Sequence, residues 1–166
     1  MAFHISIYSL FSLTGAIFSL ALGFFVLLSN GLKVNKVFFY FCCVFSVWLF
    51  SYAIDYSTSN EAIAIICARI ACTSVVLVGT VAYHLVLIQL GIKEKNILRI
   101  IYFITAVFSV IFLLSDYFLA GVYKYYWGYY SKAGVFHPLY LVFQAIVLVR
   151  LYFLLFTTFY RKYKLF

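Results

Sequence analysis

The chain has 166 residues, of which 67% are hydrophobic and only 10% charged, and its mean hydropathy is +1.12. A soluble domain carries about 25% charged residues and is about half apolar, so this composition excludes one and indicates an integral membrane protein. The formal net charge of +8 would suit a nucleic-acid binder, but its placement along the chain does not.

A helix needs about 20 apolar residues to cross the hydrocarbon core. Five windows of that kind occur: Ile5–Ser29, Val37–Ile54, Ala62–Leu90, Ile97–Gly121 and Pro138–Tyr160. The first lacks the basic lead, short apolar run and small-residue cleavage pattern of a secretory signal. It carries Gly15, Ser19 and Gly23, a small residue at every fourth position that lets a neighbouring backbone approach closely. Span three repeats the device with Ala64, Ala68 and Cys72. Cys42, Cys43, Cys67 and Cys72 all lie in spans two and three without metal-ligand or redox spacing, and they read as small buried hydrophobes. The turns Asn30–Lys36, Asp55–Glu61 and Gly91–Asn96 are short, which packs consecutive helices antiparallel. The runs are too long and continuous for the alternating strands of a membrane β-barrel. The predicted fold is therefore all-α: one antiparallel bundle of five transmembrane helices, with no linker, repeat or second domain.

The basic residues cluster at one set of turns. Lys33 and Lys36 follow span one, Lys93, Lys95 and Arg99 lie around the turn after span three, and Arg161, Lys162 and Lys164 follow span five. Asp55, Glu61, Lys124 and Lys132 fall on the other side. The positive-inside rule then puts the amino terminus outside and the carboxyl terminus in the cytoplasm.

Ionisable side chains inside a span cost about 2.5–3.5 kcal/mol at its centre, which singles out Arg69, Asp116 and Arg150. Arg69 and Asp116 lie within about 5 Å of one another in depth at the helical rise, so the long arginine is expected to reach Asp116 as a pair in the outer leaflet. Arg150, near the middle of span five, has no acid at its depth. The nearest opposite charge is Asp116, about 10 Å further out by helical rise, so its partners are expected either among polar neighbours such as Gln144, Thr105 and Ser109 or in another subunit or helices that this chain lacks. His84 near the inner end and His137 near the outer end are too far apart to share a haem or a metal. His84 reads as a hydrogen-bonded helix residue; His137 reads either as an interfacial helix start or as a contact for a ligand or proton outside.

Between spans four and five, Tyr123 to Pro138 must leave the membrane, and five tyrosines and Trp127 crowd into positions 123–130. Rings with one polar atom suit the headgroup boundary, and Gly128, Gly134 and Pro138 break any helix. The segment is expected to form an ordered, outward-facing cap, and equally to serve as a headgroup anchor. No nucleophile–base pair, phosphate-cradling loop, paired carboxylates or zinc motif is evident, so neither catalysis nor a cofactor nor a metal is expected.

Taken in order, four segments resemble the amino-terminal seven-helix sensor region of bacterial histidine kinases. They are Phe45 to Tyr52 around Trp48, Ala68-Arg69-Ile70, Tyr83-His84-Leu85, and Trp127-Gly128-Tyr129-Tyr130 through Lys132-Ala133-Gly134. The resemblance implies sensing at a bacterial inner membrane. The family has seven helices and an output module, whereas five spans are read here, with six residues after Tyr160; the chain is thus expected to be either a truncated sensor or a stand-alone relative acting through a protein partner or a second copy. A small-molecule signal would act at the outer aromatic cap, or in a pocket below it lined by Asp55, Arg69, Asp116, Trp127 and His137, with Trp48 and Arg150 in structural or coupling roles. The alternatives are a small transporter or a membrane subunit of a transport or electron-transfer complex, and an assembly factor without a ligand. The bilayer is the remaining partner, and nucleic acid is not one.

Overall fold

A computed structural model describes residues 6–30 and 32–163. Ile5, placed at the start of the first span, and Lys164, placed in the last basic cluster, lie outside the described residues. The elements in chain order are α1 (Ile7–Asn30), α2 (Lys33–Asp55), α3 (Glu61–Leu90), α4 (Lys95–Leu114), β1 (Leu119–Tyr125), β2 (Gly128–Ala133) and α5 (His137–Tyr163). Among the described residues five helices are long and apolar enough to cross a membrane, which marks a multi-pass membrane protein. Their outward faces carry large apolar side chains such as Phe18, Phe25, Phe103, Leu114, Phe153 and Phe156.

The bounds follow local chemistry. Asn60 caps α3 by accepting from the Ala62 N–H at 2.9 Å, satisfying one of the free donors of the first turn. At the other end Gly91 takes the left-handed conformation (φ 69°), and Ile92 N–H returns to the Leu87 carbonyl at 2.9 Å, closing the helix. Pro138 sits in the first turn of α5, where its missing N–H costs nothing.

Two expectations require correction. The fourth span was read to Gly121, but α4 stops at Leu114, and Ser115 is extended (φ −127°, ψ 136°). The fold is also not purely α. Leu119–Tyr125 and Gly128–Ala133 pair as an antiparallel hairpin in the register Tyr123↔Tyr130, Lys124↔Tyr129 and Tyr125↔Gly128. Gly121 (φ 127°) and Gly128 (φ 134°) hold backbone that other residues rarely adopt, and Val122, Tyr123 and Tyr125 between them favour strand.

Interhelical contacts fix the directions. Ser46 Oγ donates to the Ala16 carbonyl at 2.8 Å and Ser19 Oγ to that of Cys42 at 3.2 Å, so α1 and α2 run antiparallel. The Gly15–Ser19–Gly23 stripe is their seam: a Cβ added at Gly23 would stand 2.7 Å from Cys42 Cβ. Thr80 meets Thr105 at 2.6 Å, which runs α3 against α4, while Gln144 donates to the Val76 carbonyl at 2.9 Å and Arg150 to Tyr83 at 3.0 Å, which runs α5 along α3. Helix α3 is the central element, packing on α2, α4, α5 and the hairpin, and its Ala64, Ala68, Ala71, Val76, Thr80 and Tyr83 are fully buried. Within lipid, such contacts hold through close packing and hydrogen bonds, because surrounding tails are as apolar as the helix faces.

Two buried clusters result. One lies below the hairpin, with Ala68, Val76, Phe112, Phe118, Leu119 and Tyr140. The second lies toward the α3–α4 turn, with Tyr83, Leu87, Ile101, Val147, Leu151 and Leu154. These two levels are the hairpin end and the turn end below.

Candidate functional site

At the hairpin end a cleft of about 320 Å³ is walled by Trp48 and Tyr52 of α2, Cys72 of α3, Tyr130 and Ser131 of β2, and His137 and Tyr140 of α5. Its walls are mostly aromatic and apolar, with hydroxyls and one imidazole at fixed points, the usual make-up of a small-molecule site. His137 Nδ1 donates to the Phe118 carbonyl at 3.3 Å, so a neutral ring offers Nε2 as an acceptor. The α2 wall is a column of rings at helical spacing: Phe45 to Trp48 at 5.3 Å, Trp48 to Tyr52 at 6.0 Å and Tyr52 to Tyr56 at 5.7 Å between centroids.

The hairpin is docked rather than loose. Gly128 lies so close to α2 that an added Cβ would stand 2.6 Å from Tyr56 Cα and 3.1 Å from the Asp55 carbonyl oxygen. Buried Tyr129 donates to the Ser59 carbonyl at 3.3 Å. Trp127 stacks on Tyr125 at 4.9 Å and meets Tyr56 edge-on at 5.3 Å. The Tyr56 hydroxyl has its pKa raised, by burial first and then by the neighbouring Tyr130 and Asp55.

The five residues expected to share a pocket do not line one cavity. His137 lines the cleft, together with Trp48. Trp127 lines a second, shallower cavity of about 450 Å³ with Tyr8, Tyr56 and Lys124. Asp55 is fully buried beneath the hairpin turn, and neither carboxylate oxygen has a hydrogen-bond partner. Arg69 and Asp116 do pair, at 2.5 Å, and Arg69 Nη1 also donates to the Leu113 carbonyl at 2.8 Å. The arginine thereby caps the carboxyl end of α4, where a cation complements the helix dipole. Asp116 lies beyond α4, not within the fourth helix as the sequence suggested, and its side chain is 83% exposed.

Arg150 also requires correction, since its partner is an acid within this chain. Its Nη2 stands 2.9 Å from both Glu94 carboxylate oxygens and its Nε donates to the Tyr83 hydroxyl at 3.0 Å, while that hydroxyl donates to Glu94 Oε2 at 2.7 Å. Placing Arg150 by helical rise alone missed that a long arginine stem reaches toward the turn end. Glu94, the N-cap position of α4, reaches back to meet it. The hydrogen bond from the Tyr83 hydroxyl, aided by the Arg150 guanidinium, holds the Glu94 carboxyl below the usual carboxylate range against the opposing effect of burial. The signal available in the sequence was Glu94 itself, the lone acid among the basic turns.

Three mid-depth polar contacts close on themselves: Gln144 on the Val76 carbonyl, Thr80 on Thr105, and His84 Nδ1 with the Tyr102 hydroxyl at 3.0 Å. Among the described residues no group of three His, Cys, Asp or Glu side chains converges to hold a metal. Sequence reasoning also missed Tyr52, Tyr130, Ser131 and Tyr140 as cleft residues, because only the hairpin register brings β2 over α2 and α5. Comparison with known protein families, with curated proteins and with solved structures finds no match to this chain.

Proposed function

We propose that the chain is a non-enzymatic sensor module of a bacterial inner membrane, hairpin end outside, in which an occupant of the cleft biases helix packing at the turn end. The observation that carries this reading is the way α5 is held. It packs on α3, it walls the cleft at His137 and Tyr140, and it carries Arg150 into the Tyr83–Glu94 clasp. A molecule in the cleft therefore bears on the same rigid helix that closes the clasp. Such a device requires two packings with different affinity for the occupant. The placement of basic residues beside the clasp supports an inward-facing turn end. The resemblance of the Trp48, Arg69, Tyr83–His84 and Trp127–Gly134 segments to histidine-kinase sensor regions supports a signalling role through a partner.

Filling the cleft tests the reading. Ala133 lines it, and Ala133→Phe should change amide hydrogen exchange several-fold at Gly91 and Ile92, which close α3 next to Glu94, while leaving the middle of α1 unaltered. A response confined to the hairpin end would refute coupling between the two sites.

A further inference from the structure

The turn end gathers cations that the chain does not pair. A cavity of about 400 Å³ opens there between Lys33 at the start of α2, Lys93 in the α3–α4 turn and Lys95 at the start of α4, with Ile88, Ile92 and Leu98 in its apolar wall. The three lysines are exposed, and among the described residues none has an acidic partner. Of the four acids in the chain, Asp55, Glu61 and Asp116 belong to the hairpin end and only Glu94 lies here.

Glu94 also borders the cavity, but Arg150 and the Tyr83 hydroxyl take up its oxygens. That clasp is neutral as a unit, so the cavity keeps the charge of its three lysines. The other polar groups around it are satisfied as well. The carbonyls of Leu87 and Ile88 accept from the N–H groups of Ile92 and Gly91, and His84 Nδ1 meets the Tyr102 hydroxyl. A concavity lined by charges of one sign, with apolar walls, concentrates ions of the other sign.

The surroundings select the kind of anion. Lys33 and Lys95 are the first residues of two membrane-length helices, the level at which a bilayer presents its headgroups. Below them Ile88, Ile92 and Leu98 are only half-buried by the chain itself. A free phosphate has no use for that wall, whereas an acyl chain loses exposed apolar area against it. Basic pockets between helices at the inner end of membrane proteins hold acidic headgroups in this way. Helices α2 and α4 do not pack as a pair, so a headgroup among these lysines would bridge them.

We infer that this cavity is a binding site for an acidic phospholipid, with its phosphate among Lys33, Lys93 and Lys95 and an acyl chain along Ile88, Ile92 and Leu98. The inference is independent of the cleft at the hairpin end. General attraction to an anionic bilayer would draw equally on Lys36, Arg99 and Arg161, which do not line the cavity; a site draws on the three lysines that do.

The test is native mass spectrometry of the full chain in uncharged maltoside micelles, titrated with dioctanoyl phosphatidylglycerol or with dioctanoyl phosphatidylcholine. One phosphatidylglycerol should be retained at least ten-fold more tightly than phosphatidylcholine. A basic residue beside an anionic headgroup accounts for about a five-fold change in binding. Lys33→Gln, Lys93→Gln and Lys95→Gln combined should therefore weaken phosphatidylglycerol at least ten-fold, while arginine at the same three positions retains it. Lys36→Gln, Arg99→Gln and Arg161→Gln combined remove the same charge and should weaken it less than three-fold. Equal affinity for the two lipids, or equal loss in the two glutamine variants, would overturn the inference. Inorganic phosphate decides the source of the anion. Failure to displace the lipid at hundred-fold excess supports the headgroup assignment, and displacement at equal concentration overturns it in favour of a free phosphate.

Discussion

The clasp at the turn end gives the most quantitative prediction. Glu94→Gln keeps the shape of the side chain and removes the charge that Arg150 Nη2 meets at 2.9 Å on both oxygens. Hydrogen bonds to charged groups contribute about 1.5–3 kcal/mol each, and neutral ones about 1 kcal/mol. The side chains of Arg150 and Glu94 are 37% and 22% exposed, so water screens part of the interaction, and the pair falls between a surface bridge and a buried one. A loss of about 2 kcal/mol follows, roughly a 30-fold change in the folding equilibrium. Tyr83→Phe removes a fully buried hydroxyl and should cost about 1 kcal/mol. Because the three groups share their bonds, the double variant should lose less than the sum of the singles, with a coupling of about 1 kcal/mol. Unfolding by sodium dodecyl sulfate titrated into mild micelles, followed by tryptophan fluorescence, measures each corner of the cycle. Additive effects, or a single Glu94→Gln cost below about 0.3 kcal/mol, would refute the clasp as a cooperative unit.

The same carboxylate sets an acid response. Its pKa is depressed in the folded state, so its contribution is fully present above the ordinary glutamate range and is lost as pH falls through the folded value; unfolding curves from pH 6 down to about pH 3 should show a slope that Glu94→Gln removes. Gly128→Ala should release the hairpin, because the glycine holds φ 134° and has no room for a Cβ against the Tyr56 backbone; a cost of about 1–3 kcal/mol and a red shift of Trp127 emission in a Trp48→Phe background are expected. Asp116→Asn should change stability by less than about 1 kcal/mol, since that side chain is 83% exposed; the same denaturation assay decides it. Gly79→Ala would stand 2.2 Å from Gln144 Oε1, so the carboxamide must swing off the Val76 carbonyl, at a cost of about 1 kcal/mol, and the exchange response to Ala133→Phe should weaken.

What the sequence made legible follows from what each residue's neighbours demand. The helix windows were readable because about 20 apolar residues in a row have one structural use in a bilayer; α3, read as Ala62–Leu90, spans Glu61–Leu90. The small-residue stripe on α1 located a close seam for the same reason. The end of α4 was not readable from hydropathy, because Phe118-Leu119 before Gly121 is as apolar as the helix it leaves, and a strand with one buried edge has the same composition. The pair Ser115-Asp116 is the local stop signal, masked in the sequence by the apolar residues on both sides of it. The hairpin register lacked a warning of the Asn-Gly kind: its turn is Tyr126-Trp127, residues that read first as a headgroup belt. Arg150 failed differently. Depth along one helix was compared with acids inside other helices, while the partner sat at a helix cap.

In the proposed sensor, α5 is the element that would couple cleft and clasp. Its contacts fall at three levels: Tyr140 against the rings of Phe108 and Phe112 of α4 at the hairpin end, Gln144 laid over Gly79 of α3, and Arg150 in the clasp with Tyr83 and Glu94. At a rise of about 1.5 Å per residue, Tyr140 lies about 6 Å from Gln144, and Arg150 about 9 Å beyond it on the other side. Gly79 adds no side chain to the middle contact, where Gln144 donates to the Val76 carbonyl, so the proposed coupling takes Gln144 as the pivot of a tilt. A shift of about 1 Å at the cleft wall then becomes about 1.5 Å at Arg150, enough to stretch a bond of 2.9 Å past the distance at which a hydrogen bond survives. Under the proposed coupling, small displacements at the cleft would have a large effect at the clasp only because the clasp is built from short, directional bonds. An apolar contact there would yield gradually and transmit little.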